Sequence, residues 1–108
     1  MSRTVLLTDG AARDLDEAYA TAYDRGGTTE ADLFLDRIQD VLRRLGAREE
    51  AGVPMPELAR LGLQGALQLR FGDDRLVYRV QADEVRVALI APASRSMQAL
   101  LTRRLLDG

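Results

Sequence analysis

The clearest pattern in this sequence is an alternation of apolar and polar residues between positions 67 and 91. It predicts three antiparallel strands in a meander, at Leu67–Phe71, Arg75–Gln81 and Val85–Ala91. Asp73-Asp74 and Asp83-Glu84 supply polar turn residues between the strands. Because successive side chains of a strand point to opposite faces, the pattern indicates one apolar face and one face that carries arginines.

The two faces of this predicted sheet differ in chemistry. The expected core face contains Leu67, Leu69, Phe71, Leu76, Tyr78, Val80, Val85, Val87 and Leu89. The expected opposite face contains Gln68, Arg70, Arg75, Arg79 and Arg86, with Val77, Ala88 and Ile90. The cross-strand partners predicted there are Gln68 and Ile90 and not acids, so we expect the positive charge to lack internal compensation.

The first half of the chain has apolar residues at helical spacing. A first helix, capped by Thr8 or Asp9 and ended by Gly26-Gly27, would place five residues on its apolar face: Ala12, Leu15, Tyr19, Ala22 and Tyr23. A second, ended by Gly46, has an apolar stripe of Phe34, Leu35, Ile38, Val41, Leu42 and Leu45. Two amphipathic helices joined by a short turn predict an antiparallel helical hairpin packed on the apolar sheet face.

Shorter segments complete the prediction. Arg3–Leu7 is expected to add an edge strand, and Pro56–Leu61 to form one helical turn with proline at its first position. After Pro92, Ser94 would cap a last helix. The order is then β-α-α-β-β-β-α. It indicates one α+β domain over residues 1–108: a small antiparallel β-sheet, an N-terminal helical hairpin on one face and a short C-terminal helix.

Composition removes several kinds of chemistry. The chain has 108 residues, no cysteine and no histidine, which excludes disulfides, thiolate metal sites and the usual general base. All 15 basic residues are arginine, which cannot serve as a neutral base. No apolar run is long enough for a membrane span, and the N-terminus lacks a signal-peptide layout. We expect a soluble cytoplasmic protein without metal, cofactor or membrane contact.

The charge is unevenly distributed along the chain. The net charge of −2 argues against a general nucleic-acid-coating role. Residues 1–61 hold 8 arginines against 12 acids, whereas residues 62–108 hold 7 arginines against 5 acids. The half that forms the predicted meander is therefore the basic half.

The element order and five segments together resemble the RelE/ParE superfamily of bacterial type II toxin–antitoxin toxins. The segments are AARDLDEAY, GVPMPEL, LRFGDDRLVYRV, DEVRVALIA and MQALLTRRLL. The resemblance implies a RelE/ParE-like fold, growth inhibition, a role in plasmid stabilisation and a cognate antitoxin as partner. RelE-like members are ribosome-dependent endoribonucleases that cut mRNA, and ParE-like members poison DNA gyrase.

The resemblance also assigns candidate roles to individual residues. Arg75 and Arg95 match positions where RelE-like nucleases carry catalytic arginines, and guanidinium groups suit phosphate binding. We expect Arg70, Arg79, Arg86 and Gln68 to bind RNA phosphate or a partner. Ala66, Gln68 and Leu101 stand where the nucleases carry lysines and a tyrosine. A base would therefore have to come from Asp73, Asp74 or Tyr78.

The last helix has two interpretations. Met97, Leu100 and Leu101 would either mark an antitoxin-docking groove or close over part of the arginine face, covering Val77, Ala88 and Ile90.

Three functions remain open at this point. They are mRNA cleavage that stops translation, gyrase poisoning by protein binding, and a catalytically silent antitoxin-binding role. The two matched arginines favour translation inhibition, although the acid–base set for an endoribonuclease is incomplete.

Overall fold

A computed structural model describes residues 2–107, apart from the side chains of residues 57, 61 and 105–107. The elements in chain order are β1 (Thr4–Leu7), α1 (Asp9–Gly46), β2 (Val53–Pro54), a 3-10 helix (Pro56–Leu61), β3 (Leu67–Phe71), β4 (Asp74–Gln81), β5 (Glu84–Pro92) and α2 (Met97–Asp107). The predicted α+β fold is confirmed. Within the described part, no helix is long and apolar enough to cross a membrane.

The sheet has the strand order β1-β5-β4-β3-β2. The predicted antiparallel meander of β3, β4 and β5 is confirmed, and β1 adds to its edge by pairing parallel with β5. The turns are shorter than predicted: Asp74 and Glu84 belong to strands, which leaves Gly72-Asp73 and Ala82-Asp83 between them. The two-residue strand β2 was not predicted. It contains Pro54, which an edge strand tolerates.

The 38 residues of α1 form a helical hairpin and not one straight helix. A straight helix of this length would span about 57 Å, whereas the largest extent of the molecule is 37 Å. The chain reverses at Gly26 and Gly27, and Gly27 has φ 66° and ψ −154°, a conformation that only glycine adopts readily. The hairpin and its Thr8 cap are confirmed, since the Thr8 hydroxyl accepts a hydrogen bond from the Ala11 N–H at 3.1 Å.

The main core lies between this hairpin and one face of the sheet. Its buried members include Ala11, Phe34, Ile38, Val41, Leu45, Phe71, Leu76, Tyr78, Val85, Val87 and Ile90. Three residues expected to be buried are exposed instead: Val80 (39%), Tyr23 (53%) and Ala12, whose neighbour Ala11 lies in the core. Val80 lies two residues before the β4–β5 turn and Tyr23 three residues before the helical reversal. Near a chain reversal fewer neighbours remain to cover a side chain.

A β-bulge in β5 reverses part of the predicted face assignment. Val77 pairs with Leu89, but the next residue, Tyr78, pairs with Val87, so Ala88 is an extra residue without a partner on β4. One extra residue exchanges the faces of every side chain that follows it. Leu89 therefore lies on the arginine face and Ile90 lies in the main core, the opposite of the prediction.

A second, smaller core covers the centre of the opposite sheet face. Its buried members are Leu58, Ala66, Val77, Leu89, Ala91, Leu100 and Leu101, flanked by Met55, Leu63 and Met97. The 3-10 helix at the predicted Pro56–Leu61 supplies part of the cover and α2 supplies the rest. Ser96, and not Ser94, caps α2, because its Oγ accepts the Ala99 N–H at 3.1 Å. Arg95 consequently lies in the loop before α2.

Candidate functional site

The arginine face is divided into two separate ends. Arg70 lies directly opposite Arg75 at one end of the β3–β4 pair, and Arg79 lies directly opposite Arg86 at one end of the β4–β5 pair. Val77 lies between Arg75 and Arg79 on β4, and it is only 1% exposed because the second core covers it. The face therefore does not offer one continuous cationic surface.

The guanidinium of Arg75 is used inside the protein. Its Nη2 donates to the carbonyl oxygens of Ala93 and Arg95, both at 2.5 Å, and its Nη1 donates to Oε1 of Gln68 at 3.2 Å. Two main-chain carbonyls of the β5–α2 loop are thereby fixed to the sheet. The sequence did not indicate this, because main-chain acceptors from a distant loop leave no residue-type signal.

The other predicted arginines are less constrained. Arg86 forms an ion pair with Glu84 on its own strand, so its charge is compensated, unlike the prediction. Within residues 2–107, with the side-chain gaps noted above, Arg70, Arg79 and Arg95 form no ion pair. Arg70 and Arg95 are exposed, and both line the same groove.

The apolar residues predicted for antitoxin docking lie against the protein's own sheet. Leu100 and Leu101 are buried in the second core, with Met97 packed at its edge. The structure therefore has the closed arrangement of the two considered for α2. The covered set differs from the expected one because of the bulge, and comprises Val77, Leu89 and Ala91.

A groove of about 760 Å³ is lined by the N-terminal arm of α1 (residues 9–25), part of its second arm, the β3–β4 turn region, the end of β5 with the following loop, and α2. Apolar side chains such as Phe34, Ile90 and Leu100 contribute to its walls. Its charged lining comprises Arg13, Arg25, Arg37, Arg70, Arg95, Arg103, Arg104, Asp14, Glu17, Glu30, Asp73 and Asp74. The groove is therefore mixed in charge, with more guanidinium groups than carboxylates.

An ion pair that sequence reasoning missed closes the sheet edge beside this groove. Strand β1 pairs only with residues 84–87 of β5, so residues 88–92 lack a strand partner on that side. There Asp14 Oδ2 accepts the Ile90 N–H at 3.0 Å, and Arg104 Nη1 donates to the Ala88 carbonyl at 3.1 Å. Asp14 and Arg104 also bind each other. Their sequence positions, far apart on two helices, gave no sign of this pairing.

Asp74 is the titratable group of the groove with a perturbed pKa. Burial raises the pKa of its carboxyl above the ordinary value, and the negative charge of Asp73 adds to the increase, while Arg25 and Arg37 oppose it. Of the bases considered for this chain, Tyr78 is buried in the main core, where its hydroxyl accepts the Gly52 N–H at 2.7 Å. Asp73 and Asp74 therefore remain the groove's candidates for proton transfer, and Asp74 is the one with the raised pKa.

Comparison with known proteins identifies the family. The sequence model of the family described as "ParE toxin of type II toxin-antitoxin system, parDE" matches residues 5–98, from β1 into the start of α2. The chain belongs to this ParE toxin family. A comparison with curated protein sequences finds no significant match.

A solved structure supports the fold. The chain is similar to a chain of the chromosomal ParDE toxin–antitoxin system from P. aeruginosa, at 22% identity and a TM-score of 0.67, over 84% of this chain and 96% of that one. It is also similar to a chain of the RelBE2 toxin–antitoxin complex from Mycobacterium tuberculosis, at 23% identity and a TM-score of 0.49, over 85% and 99%. The first of these supports the fold of this ParE-family toxin.

Proposed function

We propose that this toxin inhibits bacterial growth in the cytoplasm when it is free of a cognate antitoxin, and that it acts by binding DNA gyrase and not by cutting mRNA. Membership of the ParE family supports the gyrase target, because ParE-like toxins are the gyrase poisons of the superfamily that this chain resembles. The similar P. aeruginosa structure is of a ParDE toxin–antitoxin system, which supports an antitoxin protein as partner.

The observation that carries this proposal is the internal use of Arg75. Cleavage of RNA through its own 2′-hydroxyl needs a base, positive charge on the phosphorane and an acid for the leaving oxygen. Both Nη2 hydrogens of Arg75 point to loop carbonyls, so the guanidinium is not free to bind phosphate with its fork. The chain also contains no histidine or lysine to act as a base. Binding to a protein target requires neither group.

A second candidate function, mRNA cleavage on the ribosome, is favoured by one specific observation. Asp74, with its raised pKa, lines the same groove as the exposed Arg70 and Arg95. A carboxylate with a raised pKa is a better proton acceptor than an ordinary one, and the arginines are able to bind phosphate. This arrangement differs from the one expected from the sequence, in which Arg75 was the catalytic partner of Arg95.

Expression with and without the antitoxin encoded beside the toxin gene tests the proposal. We expect growth arrest that co-expressed antitoxin relieves, early loss of thymidine incorporation, linearised plasmid, and inhibition of purified gyrase. Methionine incorporation should decline only later. Immediate loss of methionine incorporation with intact plasmid would support mRNA cleavage instead. The absence of any growth defect would support the catalytically silent role.

A further inference from the structure

The three arginines around the β5–α2 loop, Arg70, Arg75 and Arg95, have different structural roles, and we propose that two of them bind the target while the third positions the loop. Arg95 and Arg70 contact carboxylate groups of the target protein, and Arg75 is a positioning residue that acts through Arg95. The inference rests on the proposed function, because it concerns the surface with which the toxin engages its target.

Arg75 holds the loop at two of its carbonyls, two residues apart. Its Nη2 carries two hydrogens, and the carbonyl oxygens of Ala93 and Arg95 take both of them. Two main-chain bonds complete the attachment: the Ala93 N–H donates to the Asp73 carbonyl at 2.9 Å, and the Arg95 N–H to the Pro92 carbonyl at 3.2 Å. The backbone of Arg95 is therefore bound on both its N–H and its C=O side.

The side chain of Arg95 differs from its backbone in this respect. It is exposed, it lines the groove, and it has no ion-pair partner in the part of the chain that the structure describes. Arg70 is exposed at the same groove and has no such partner within the described residues either. A guanidinium on a fixed backbone loses less conformational entropy when it binds a carboxylate, and its planar fork suits that group.

The position of Arg70 directly opposite Arg75 also supports a binding role for Arg70 and a positioning role for Arg75. Like charges placed directly opposite on neighbouring strands destabilise a sheet, so this arrangement has a cost. The loop carbonyls offset the charge of Arg75, while no carboxylate within 4 Å offsets that of Arg70 among the described residues. Arg70 is thus left with its donors available to a partner outside the molecule.

A double-mutant cycle separates positioning from direct contact. The variants are Arg95→Ala, Arg75→Ala and the double variant, with Arg60→Ala on the 3-10 helix as the control for loss of one exposed arginine outside the groove. The readouts are the toxin concentration that half-inhibits gyrase supercoiling, affinity for gyrase without DNA, growth arrest in cells, and the melting temperature.

We expect Arg95→Ala to weaken inhibition at least tenfold while the melting temperature stays within about 2 °C of wild type. Arg75→Ala should weaken it by a similar factor, and the double variant should be no weaker than the weaker single variant. Arg60→Ala should retain full potency. Arg70→Ala should lower affinity for gyrase whether or not DNA is present.

Three results would overturn the inference. They are an Arg95→Ala toxin of full potency, a double variant whose loss equals the product of the two single losses, and an arginine dependence seen only when DNA is present. The last would point to phosphate as the group contacted. If the wild-type toxin arrests growth without inhibiting gyrase, the proposed target is wrong, and growth arrest still measures the cycle. A wild-type chain without any toxicity would overturn both.

Discussion

The two faces of the sheet use their side chains in different ways. The face toward α1 is covered by a hairpin of two helical arms, and among the described residues no charged side chain is buried there. The opposite face has a smaller apolar centre under α2 and the 3-10 helix, with opposed arginine pairs at its two ends. The first arrangement favours stability. The second places like charges opposite each other on neighbouring strands, which does not favour stability.

The groove lies where these two regions meet. Its walls come from both arms of α1 and from α2, and the Asp14–Arg104 pair joins the two helices at the edge of β5 that β1 leaves open. Two guanidinium groups, those of Arg75 and Arg104, bind main-chain carbonyls and so hold α2 and its loop. Arginines on this side of the molecule therefore serve two purposes, attachment of the protein's own backbone and presentation of charge.

The largest loss of stability is expected when a buried valine is shortened, and the size of the loss should differ between the two faces of the sheet. Val87 lies in the main core and Val77 in the second core, at 0% and 1% exposure. Val87→Ala should lower the free energy of unfolding by about 2–3 kcal/mol, and Val77→Ala by about 1–2 kcal/mol, because a short covering helix adjusts to a cavity more easily. Urea unfolding measures both. Equal losses would contradict the view that the main core is the more rigid side.

Removal of the Asp14 carboxylate should have the next largest effect. Asp14→Ala leaves the Ile90 N–H without its acceptor and the Arg104 guanidinium with only the Ala88 carbonyl. The side chains of Asp14 and Arg104 are only 18% and 23% exposed. We expect a loss of about 2 kcal/mol. The control is Glu17→Ala. Glu17 lies on α1 like Asp14, but it is an exposed partner of Arg103, so its removal should cost less than about 0.5 kcal/mol. A negligible effect of Asp14→Ala would mean that water replaces the carboxylate.

Replacement of Asp74 should produce a smaller, pH-dependent gain. Because the pKa of Asp74 is raised in the folded protein, the folded state binds its proton more tightly than the unfolded state does. The contribution of Asp74 to stability therefore falls as pH rises from its unfolded pKa, about 3.8, through the raised folded pKa. Asp74→Asn should be more stable than wild type at pH 7, with the difference vanishing below about pH 4. Urea unfolding between pH 3 and 8 tests this, with the exposed Asp36→Asn as the matched control, and a pH-independent difference would refute it.

The smallest change in stability is expected when one arginine of an opposed pair is replaced. Arg79→Gln removes one of two like charges that face each other across β4 and β5. Because Glu84 already compensates the charge of Arg86, we expect a gain of no more than about 0.2 kcal/mol at low salt, and none at high salt. Arg60→Gln on the 3-10 helix should change stability less. A loss of stability in Arg79→Gln would show that packing of the arginine stem outweighs the repulsion.

Much of the fold was predictable because its signals are local. The meander, the edge strand β1, the Thr8 cap and the Gly26-Gly27 reversal each follow from periodicity or from one conformational preference, and the structure confirms all of them. The bulge at Ala88 was not predictable in this way. Alanine fits either face, so the alternation continued through it and assigned Leu89 and Ile90 to the wrong sides.

The site was less predictable than the fold. The alternation of residues was enough to predict an apolar face and an arginine face of the sheet, and the composition shows that the chain contains neither histidine nor lysine. Which arginines have no internal partner depends on tertiary contacts, because Arg75 binds carbonyls of a loop 18 and 20 residues further along the chain. It likewise brought Asp14 and Arg104 together across 90 residues. Main-chain acceptors are identical at every residue, so a sequence cannot indicate which side chain will find them.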